Sequence, residues 1–307
     1  MTIPPLLRTL TVPVIAAPMT DVSGPELVIA ACRAGVVGTF PAHNAASTDD
    51  LDAWLATITT TLATDPGAAP FAVNLIVHPS NDRLTTDLEC LAEHRVPIVI
   101  TSVGSPAPVL EPLHQSGALV FVDVATLRHV DRAIGAGADG LVLLCGGAGG
   151  QTGTASPLAF LPAVRDRFDG PIALAGGICD GRSLWAAKVL GADFGYLGTK
   201  FIATPESLAP VEFKAALIAA TLDDIVTTSG PSGLPANFLR EWLAAHDIEP
   251  DTAGGYQQSR LFAYKNVWSA GHSVSGVTSE QSTATVIAQL ARQYHAARAA
   301  TATDLLV

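Results

Sequence analysis

The stretch LVLLCGGAGGQTGTASP, residues 141–157, joins a short apolar run to a glycine cluster that contains no charged side chain. An apolar run that does not alternate with polar residues is typical of a parallel strand covered on both faces. The cluster that follows it contains Gly146, Gly147, Gly149 and Gly150. Glycine permits backbone conformations with positive φ and lets the chain pass close to a ligand. The stretch therefore predicts a buried strand whose end can approach a bound molecule.

The same unit recurs along the chain, because short runs rich in Val, Ile or Leu alternate with amphipathic, helix-forming segments. The predicted strands are residues 12–17, 36–40, 71–76, 97–102, 118–124, 138–144, 171–176 and 193–198. Eight strand and helix pairs in roughly 210 residues match a closed (β/α)8 TIM barrel. An α/β fold of this type is our prediction, and a doubly wound open sheet is the alternative.

The alternation of predicted strands and helices ends near residue 220. The segments that follow are rich in glycine, serine and aromatic residues, as in TTSGPSGLPANFLREWL and DTAGGYQQSRLFAYKNVWSAGHSVSGV. A final helix is predicted from about Glu280 to Arg298. We therefore expect a barrel core over residues 1–220. Residues 221–307 are expected to form a C-terminal helical and loop-rich appendage that packs on the barrel and completes the substrate pocket.

Composition excludes several classes of protein. Hydrophobic residues make up 49% of the 307 residues and charged residues 15%, which favours a large buried core. A net charge of −11 with no basic run argues against binding nucleic acid. The four cysteines lack metal-site spacing, so no metal is expected. Neither a signal peptide nor a membrane-length apolar stretch is evident, which predicts a cytoplasmic protein with a small-molecule substrate. The sequence leaves the oligomeric state open, with a homodimer as one option.

The last three predicted strands all run into glycine-rich segments, CGGAGGQTG, AGGICDGR and GTKF. Backbone amides at such strand ends can hold an anion without any Lys or Arg, and a TIM barrel commonly binds phosphate after its seventh and eighth strands. Gly176, Gly177, Gly198 and Thr199 are the candidates for a phosphate site. A dinucleotide fingerprint is excluded in CGGAGGQTG, because counting from Gly147 the last glycine of the pattern falls on Thr152.

These motifs, taken in order, are similar to those of the nitronate monooxygenase (2-nitropropane dioxygenase) family of FMN-dependent TIM barrels. The resemblance lies in PVIAAPMTDVSGPELVIAACRAGVVGTFPA, FAVNLIVHPSNDRL, VPIVITSVG, GADGLVLLCGGAGGQTGTASPLAF, GPIALAGGICDGR and GADFGYLGTKFIATPES. It covers residues 10 to 220, and a weaker similarity extends to KNVWSAGHSVSG.

The resemblance implies a flavoprotein that binds FMN and oxidises a small anionic substrate, such as an alkyl nitronate, with O2. It places one group of residues along the flavin ring and a second group at its phosphate. The implied cofactor-binding residues are Ala17, Pro18, Met19, Asn74, Thr101, with Ser102 beside it, Gly149, Gly150, Gly176, Gly177, Gly198 and Thr199.

The family resemblance also makes Gln151 a candidate catalytic residue, but with an altered side chain. Members of this family usually carry a histidine base after AGG, where this chain has Gln151. A glutamine amide can orient a substrate by hydrogen bonds but cannot take up a proton at neutral pH. His78 and His272 are therefore further catalytic candidates, and His43 follows the second strand in FPAHNA.

Other functions stay open at this stage. The loss of the histidine favours an NAD(P)H-dependent ene or enoyl reductase, or a dehydrogenase, of the same flavin-barrel family. Lys200 suits a Schiff-base lyase or aldolase on a phosphate-binding barrel. A catalytically silent flavin carrier is the last alternative. Cys145 is expected to pack in the core, and Asp123 is either a base or a hydrogen-bond anchor.

Overall fold

The computed structural model of the protein describes residues 3–248, 259, 264 and 267–304, and the side chains of residues 303 and 304 are not described. Residues 265 and 266, which begin the KNVWSAGHSVSG motif, lie outside the described residues. No helix in the described part of the chain is long and apolar enough to cross a membrane.

Eight parallel strands form a closed barrel, because the first strand pairs with both the second and the last. This closure confirms the predicted TIM barrel and excludes the doubly wound open sheet. In chain order, with the two-residue strand β7 outside the barrel, the strands are β1 (Val14–Ala16), β2 (Val37–Pro41), β3 (Phe71–Ile76), β4 (Ile98–Ser102), β5 (Leu119–Val124), β6 (Gly140–Leu144), β7 (Gly150–Gln151), β8 (Ile172–Ala175) and β9 (Phe194–Leu197).

The strands are apolar throughout because both of their faces are buried. Ile15, Ile100 and Phe121 belong to the set that fills the barrel interior. Residues of the opposite parity, such as Val73 and Val99, pack between the sheet and the surrounding helices. Successive side chains on a strand point to opposite faces, so a strand buried on both sides needs no polar alternation.

Helices surround the barrel, joined to the strands by short loops. Three of them, α4, α5 and α7, end at a glycine in the left-handed conformation, at Gly117, Gly137 and Gly191. The helices are α1 (Pro25–Arg33), α2 (Thr48–Ala63), α3 (Leu84–Glu93), α4 (Ala107–Ser116), α5 (Leu127–Ala136), α6 (Pro157–Arg165), α7 (Gly181–Leu190), α8 (Thr199–Ile202), α9 (Val211–Ala219), α10 (Arg240–Ala245) and α11 (Thr283–Asp304).

Helix α11 belongs to the barrel wall. It packs against α7 and α1, and its Ile287 and Leu290 share a core with Leu27 and Leu184. The contact is close, since a Cβ added at Gly181 would lie 2.2 Å from the backbone nitrogen of Tyr294. Helix α8 has only four residues, so α11 takes the eighth place in the ring of helices. The sequence analysis places this helix in the C-terminal appendage, and in the structure it packs on the barrel.

The segment between the barrel and α11 forms a cap over one side of the barrel mouth. We use "cap" for the described residues of 225–277. Strands β10 (Ile225–Thr228) and β11 (Ala236–Leu239) form an antiparallel pair. Strand β11 also pairs with β7, with Ala236 opposite Gln151. The loop after β6 is therefore held by backbone pairing with the cap.

Candidate functional site

A cavity opens at the carboxyl ends of the barrel strands, the place where TIM barrels carry their active sites. It encloses about 1320 Å³ of space free of protein atoms, counting the part open to solvent. The cap forms part of its wall through Ser232, Ala236, Phe238, Val267, Ser269 and Ser273.

The floor of the cavity is the uppermost layer of inward-pointing side chains. Ile100 and Phe121 lie inside the barrel, and two residues further along each strand come Ser102 and Asp123. The other residues of this layer that line the cavity are Ala17, Asn74, Leu144, Ala175 and Tyr196. The floor therefore combines apolar surface with a few polar groups, as a binding pocket for an organic ligand requires.

The residues that the sequence placed along the flavin ring lie together, with one exception. Ala17, Pro18, Met19 and Asn74 all line the cavity. Asn74 is fixed on the floor, because its Nδ2 donates to the Ile100 carbonyl at 2.9 Å and to Ser102 Oγ at 3.1 Å.

Thr101 is the exception. It is buried but does not line the cavity, and its hydroxyl donates to the Phe121 carbonyl at 3.4 Å. Its neighbour Ser102 lines the cavity instead. The reason is strand parity, since Thr101 points outward between two inward-pointing residues.

The predicted phosphate residues also border one part of the cavity, with Gly176 and Gly177 after β8 and Gly198 and Thr199 after β9. Gly177 has φ +75°, and a Cβ added to it would meet no atom of the described chain within 4 Å. Only glycine adopts that conformation readily, and the space beside it is open to a ligand. The backbone here can thus be approached closely.

Side chains occupy two of the backbone amides at the N-terminus of helix α7. The Asp180 carboxylate accepts a hydrogen bond from Ser183 N at 2.8 Å, and Gln293 Oε1 accepts one from Gly181 N at 3.0 Å. These side chains occupy the amides that an unpartnered helix end would present. A phosphate site here depends on the strand-end loops alone.

The glycines after β6 have a different environment. A Cβ at Gly149 would lie 2.8 Å from Gly271 N, and a Cβ at Gly147 would lie 2.7 Å from the His272 ring. These two glycines therefore make room for residues 270–272 of the cap. Gly150, with φ +64°, has no atom of the described chain within 4 Å of an added Cβ.

Gln151 lines the cavity at the end of this loop. Its place is fixed by its backbone, because β7 pairs with β11 and Thr152 N donates to the Pro235 carbonyl at 3.1 Å. Nearby, Asn237 Nδ2 donates to the Ala148 carbonyl at 2.6 Å. The cap therefore presents the Gln151 amide to the cavity on a rigid support.

The two histidines predicted as catalytic do not line the cavity. His78 is half-buried, and its Nδ1 lies 2.8 Å from Ser80 Oγ and accepts a hydrogen bond from Ser80 N. His272 is exposed, and its ring lies over Gly147 while the adjacent Ser273 lines the cavity. Neither imidazole borders the cavity, and a catalytic role for either stays a prediction.

His43 does line the cavity, with Nε2 3.0 Å from Thr20 Oγ1. Burial, assisted by repulsion from Arg83, lowers the pKa of His43 to about 4. The ring is therefore neutral at physiological pH and is a weak base.

Asp123 and Tyr196 are the floor residues with the most altered acidities. Burial raises the pKa of Asp123 to about 8. Burial, together with the nearby Asp123 charge, raises the pKa of Tyr196 well above its usual range. The sequence analysis named Asp123 without assigning its role and did not name Tyr196. Both could have been identified as candidate cavity residues, because each is a polar residue near the carboxyl end of an otherwise apolar strand.

Two other residues from the sequence analysis lie outside the cavity lining. The Lys200 Nζ donates to the Gly276 carbonyl at 2.8 Å, so it ties the cap to the barrel, and burial lowers its pKa. Cys145 is fully buried, and burial raises its pKa to about 12, so its thiol stays protonated in the core. The structure therefore gives no support to a Schiff-base lysine at this site.

A group of metal-type ligands lies away from the cavity, where Asp52, Cys90 and His94 bring their ligand atoms within 4.8 Å of one another. His94 Nε2 lies 2.7 Å from Asp52 Oδ1. Burial, reinforced by neighbouring acidic residues, raises the pKa of Cys90 to about 11. The hydrogen bond between His94 and Asp52 accounts for the proximity of these groups without a metal ion, and the Cys90 thiol beside them stays protonated.

A sequence profile of the nitronate monooxygenase family matches residues 80–304, well over half of the chain. The chain belongs to the nitronate monooxygenase family. This confirms the resemblance seen in the sequence motifs. The family is one of flavoproteins.

Within and around this family, the chain is similar to proteins with different activities. It is 32% identical over 237 residues to a Mycobacterium tuberculosis protein, the (3aS,4S,5R,7aS)-5-hydroxy-7a-methyl-1-oxo-octahydro-1H-indene-4-carboxyl-CoA dehydrogenase. That match covers 75% of this chain and 64% of the dehydrogenase. This chain therefore spans just under two thirds of the length of that relative.

Two solved structures resemble the fold along almost its whole length. Nitroalkane oxidase from Streptomyces ansochromogenes superposes with a TM-score of 0.83 at 26% identity, covering 96% of this chain and 99% of the oxidase. FabK from Thermotoga maritima superposes with a TM-score of 0.79 at 25% identity, covering 98% and 96%. Both agree with a nitronate monooxygenase family member built as a (β/α)8 barrel.

Proposed function

We propose that this protein is an FMN-dependent oxidoreductase that oxidises a small anionic substrate, such as an alkyl nitronate, with O2. The observation that carries the proposal is the cavity on the strand ends. It is lined by bare backbone at Gly150 and Gly177, where an added side chain would enter open space. Membership of the nitronate monooxygenase family supports the same conclusion.

The residues present fit a flavin mononucleotide. Gly176, Gly177, Gly198 and Thr199 would hold its phosphate through backbone amides. No Lys or Arg borders the cavity in the described part of the chain, so backbone is the group available for this task. The hydroxyl of Thr199 accepts a hydrogen bond from Gly271 N at 3.0 Å, which leaves its own hydrogen free to be donated.

The residues along the ring would be Ala17, Pro18, Met19 and Asn74, and Ser102 would take the position predicted for Thr101. When bound, the flavin supplies the transfer of electrons from the substrate to O2. The chain supplies the orientation of the ring and a shaped, partly apolar pocket beside it.

Gln151 would orient the oxygens of an anionic substrate by donating hydrogen bonds from its amide. An alkyl nitronate enters as an anion and needs no base to remove a proton, so glutamine suffices in this position. We further propose that residues 221–307 act with the 1–220 barrel to complete the substrate pocket. Phe238 and Val267 of the cap line the cavity on this side.

The second candidate function is an NAD(P)H-dependent ene or enoyl reductase, or a dehydrogenase. Gln151 favours it, because hydride chemistry does not require the imidazole base that this position lacks. The mycobacterial relative is named as a dehydrogenase of a coenzyme A thioester. A substrate of that kind would enter past the cap and place its acyl part against the floor.

Anaerobic titration of the purified, FMN-loaded protein distinguishes the two functions. We expect propionate 3-nitronate to bleach the visible flavin absorption rapidly and NADPH to bleach it slowly. The reverse order would favour the reductase or dehydrogenase. Protein that remains colourless after incubation with FMN and desalting would overturn both.

A Gln151→His variant tests the role of the amide. The wild type is expected to oxidise nitronates and to leave neutral nitroalkanes unchanged, because it has no base at this position. The variant is expected to gain turnover of a neutral nitroalkane, with Gln151→Asn as the matched variant that does not gain it. Equal nitroalkane turnover in all three proteins would show that Gln151 is remote from the reacting carbon.

A further inference from the structure

Asp123 is a carboxylic acid on the cavity floor that the proposed function leaves without a task. It follows Phe121 on the inner face of β5 and borders the cavity. Its Oδ1 is shielded from solvent and forms no hydrogen bond with any residue that the structure describes. Buried polar atoms are nearly always paired, so an unpaired carboxyl oxygen beside a cavity indicates a partner that comes from the ligand.

Among the residues that the structure describes, none places a positive charge beside Asp123. On the strands beside β5, the inward residues at this level are Ser102 and Leu144, which are uncharged. Tyr196 on β9 is the titratable group that feels the Asp123 charge, and its own acidity is suppressed. His43 at the cavity edge is neutral above pH 5, because its pKa is lowered to about 4.

Burial without a neighbouring cation disfavours the carboxylate and raises the pKa of Asp123 to about 8. A neutral carboxyl group can donate a hydrogen bond, whereas a carboxylate can only accept one. The carboxyl plane turns easily about χ2, so either oxygen can be presented to the cavity.

We infer that Asp123 bears a proton at neutral pH and donates a hydrogen bond to the flavin ring from the floor of the barrel. The inference rests on the flavin-binding function proposed above. A neutral donor in this position stabilises the negative charge that the ring gains on reduction, whereas a carboxylate opposes that charge. Asp123 is thus assigned as a residue that sets both the affinity for the flavin and its reduction potential.

The first test is the affinity of the apoprotein for FMN, measured by fluorescence quenching between pH 6 and 9. The wild-type Kd is expected to rise by roughly tenfold as the pH passes 8, since one unit of pKa change on binding corresponds to a factor of ten. In Asp123→Asn, which keeps a donor and cannot ionise, the Kd should stay constant. Asp169→Asn, the same change at an exposed site, should follow the wild type.

The second readout is the reduction potential of the bound flavin. Asp123→Asn should keep the wild-type potential at pH 7, whereas Asp123→Leu, which has no donor, should lower it. A tenfold loss of affinity for the reduced flavin relative to the oxidised flavin corresponds to about 30 mV for this two-electron couple. A potential unchanged in Asp123→Leu would overturn the inference.

The stability of the apoprotein gives a readout that is independent of flavin. Between about pH 4 and pH 8 the folded protein holds a proton on Asp123 that the unfolded chain has lost, so folding stability falls as the pH rises. Urea unfolding should show this fall in the wild type and a smaller fall in Asp123→Asn. The same curves confirm that the variant folds.

The outcomes separate the two proposals. Protein that binds FMN with a pH dependence identical in Asp123→Asn would overturn the role of Asp123 and leave the proposed function intact. A carboxyl ¹³C titration in the wild-type apoprotein that places Asp123 near its ordinary value would do the same. Absence of any FMN binding by the wild type would overturn both.

Discussion

Two glycine clusters border the barrel mouth, and the space beside their glycines is filled differently. The first, residues 146–150, follows β6, and the second, Gly176 and Gly177, follows β8. At Gly147 and Gly149 the space of the missing side chain is filled by residues 270–272 of the cap, whereas at Gly177, and at Gly150 where the first cluster ends, it is empty. Gly147 and Gly149 therefore seat one part of the chain on another, and Gly150 and Gly177 leave backbone exposed to a ligand.

The comparison shows that glycines after a strand do not by themselves identify a ligand site. Both clusters look alike in sequence, as GG followed shortly by a helix. What separates them is whether a distant segment returns to fill the space. The substitutions below test this difference, from the largest expected effect to the smallest.

Gly177→Ala is expected to weaken FMN binding the most, by about 10- to 100-fold. A methyl group would enter the open space next to the proposed phosphate site, and φ +75° adds a strain of about 1–2 kcal/mol for any L-residue. Isothermal titration with FMN measures the first effect and urea unfolding of the apoprotein measures the second. If affinity falls only in proportion to the fraction unfolded, the second cluster is a turn and not a ligand site.

Gly149→Ala is expected to act in the opposite way, by lowering stability more than affinity. Its Cβ would lie 2.8 Å from the backbone nitrogen of Gly271, and relief of such a contact costs about 1–3 kcal/mol. Chemical denaturation should show this loss, with the FMN affinity of the folded protein changed less than threefold. A large loss of affinity in fully folded protein would place the flavin against the first cluster instead.

Asn237→Ala probes the attachment of the cap to the first cluster. The buried Asn237 donates to the Ala148 carbonyl and accepts a hydrogen bond from Thr227 Oγ1 at 2.5 Å. Leaving those buried groups unpaired should cost about 1–3 kcal/mol of stability. Limited proteolysis should show faster cleavage within the cap, and a cap as resistant as in the wild type would contradict its proposed anchoring.

Lys200→Met is expected to have the smallest effect. The Lys200 ammonium donates one hydrogen bond to the Gly276 carbonyl, and Met keeps the apolar stem. Losing such a bond costs about 1 kcal/mol. Activity of the variant should stay within threefold of the wild type, and complete loss of activity would revive the Schiff-base alternative.

The barrel itself was predictable from sequence. Strands buried on both faces leave an apolar signature that needs no knowledge of distant contacts, and eight such runs in the given length leave few architectures. The same local signals predicted amphipathic helices between the strands. The family motifs also led to Asn74 and Gly177, which line the cavity.

The remaining features depend on contacts that a local pattern does not contain. Thr101 was preferred over Ser102 because the sequence does not show which of two adjacent side chains on a strand points into the barrel. A shift of one residue in register exchanges the two faces. His78 and His272 were chosen by position after strands or by motif, yet neither criterion shows where an imidazole ring points. Tyr196 was missed because an aromatic residue on an apolar strand is more often part of the core.

Helix α11 has one further consequence, for the order in which the protein acquires its structure during synthesis. The apolar faces of α1 and α7 await Ile287 and Leu290, which follow the whole cap in the chain. When all eight strands have been synthesised, the barrel wall still lacks helix α11. Leu27 and Leu184 therefore lack their packing partners until translation has passed residue 290. The complete barrel wall therefore requires a helix that is synthesised after the cap.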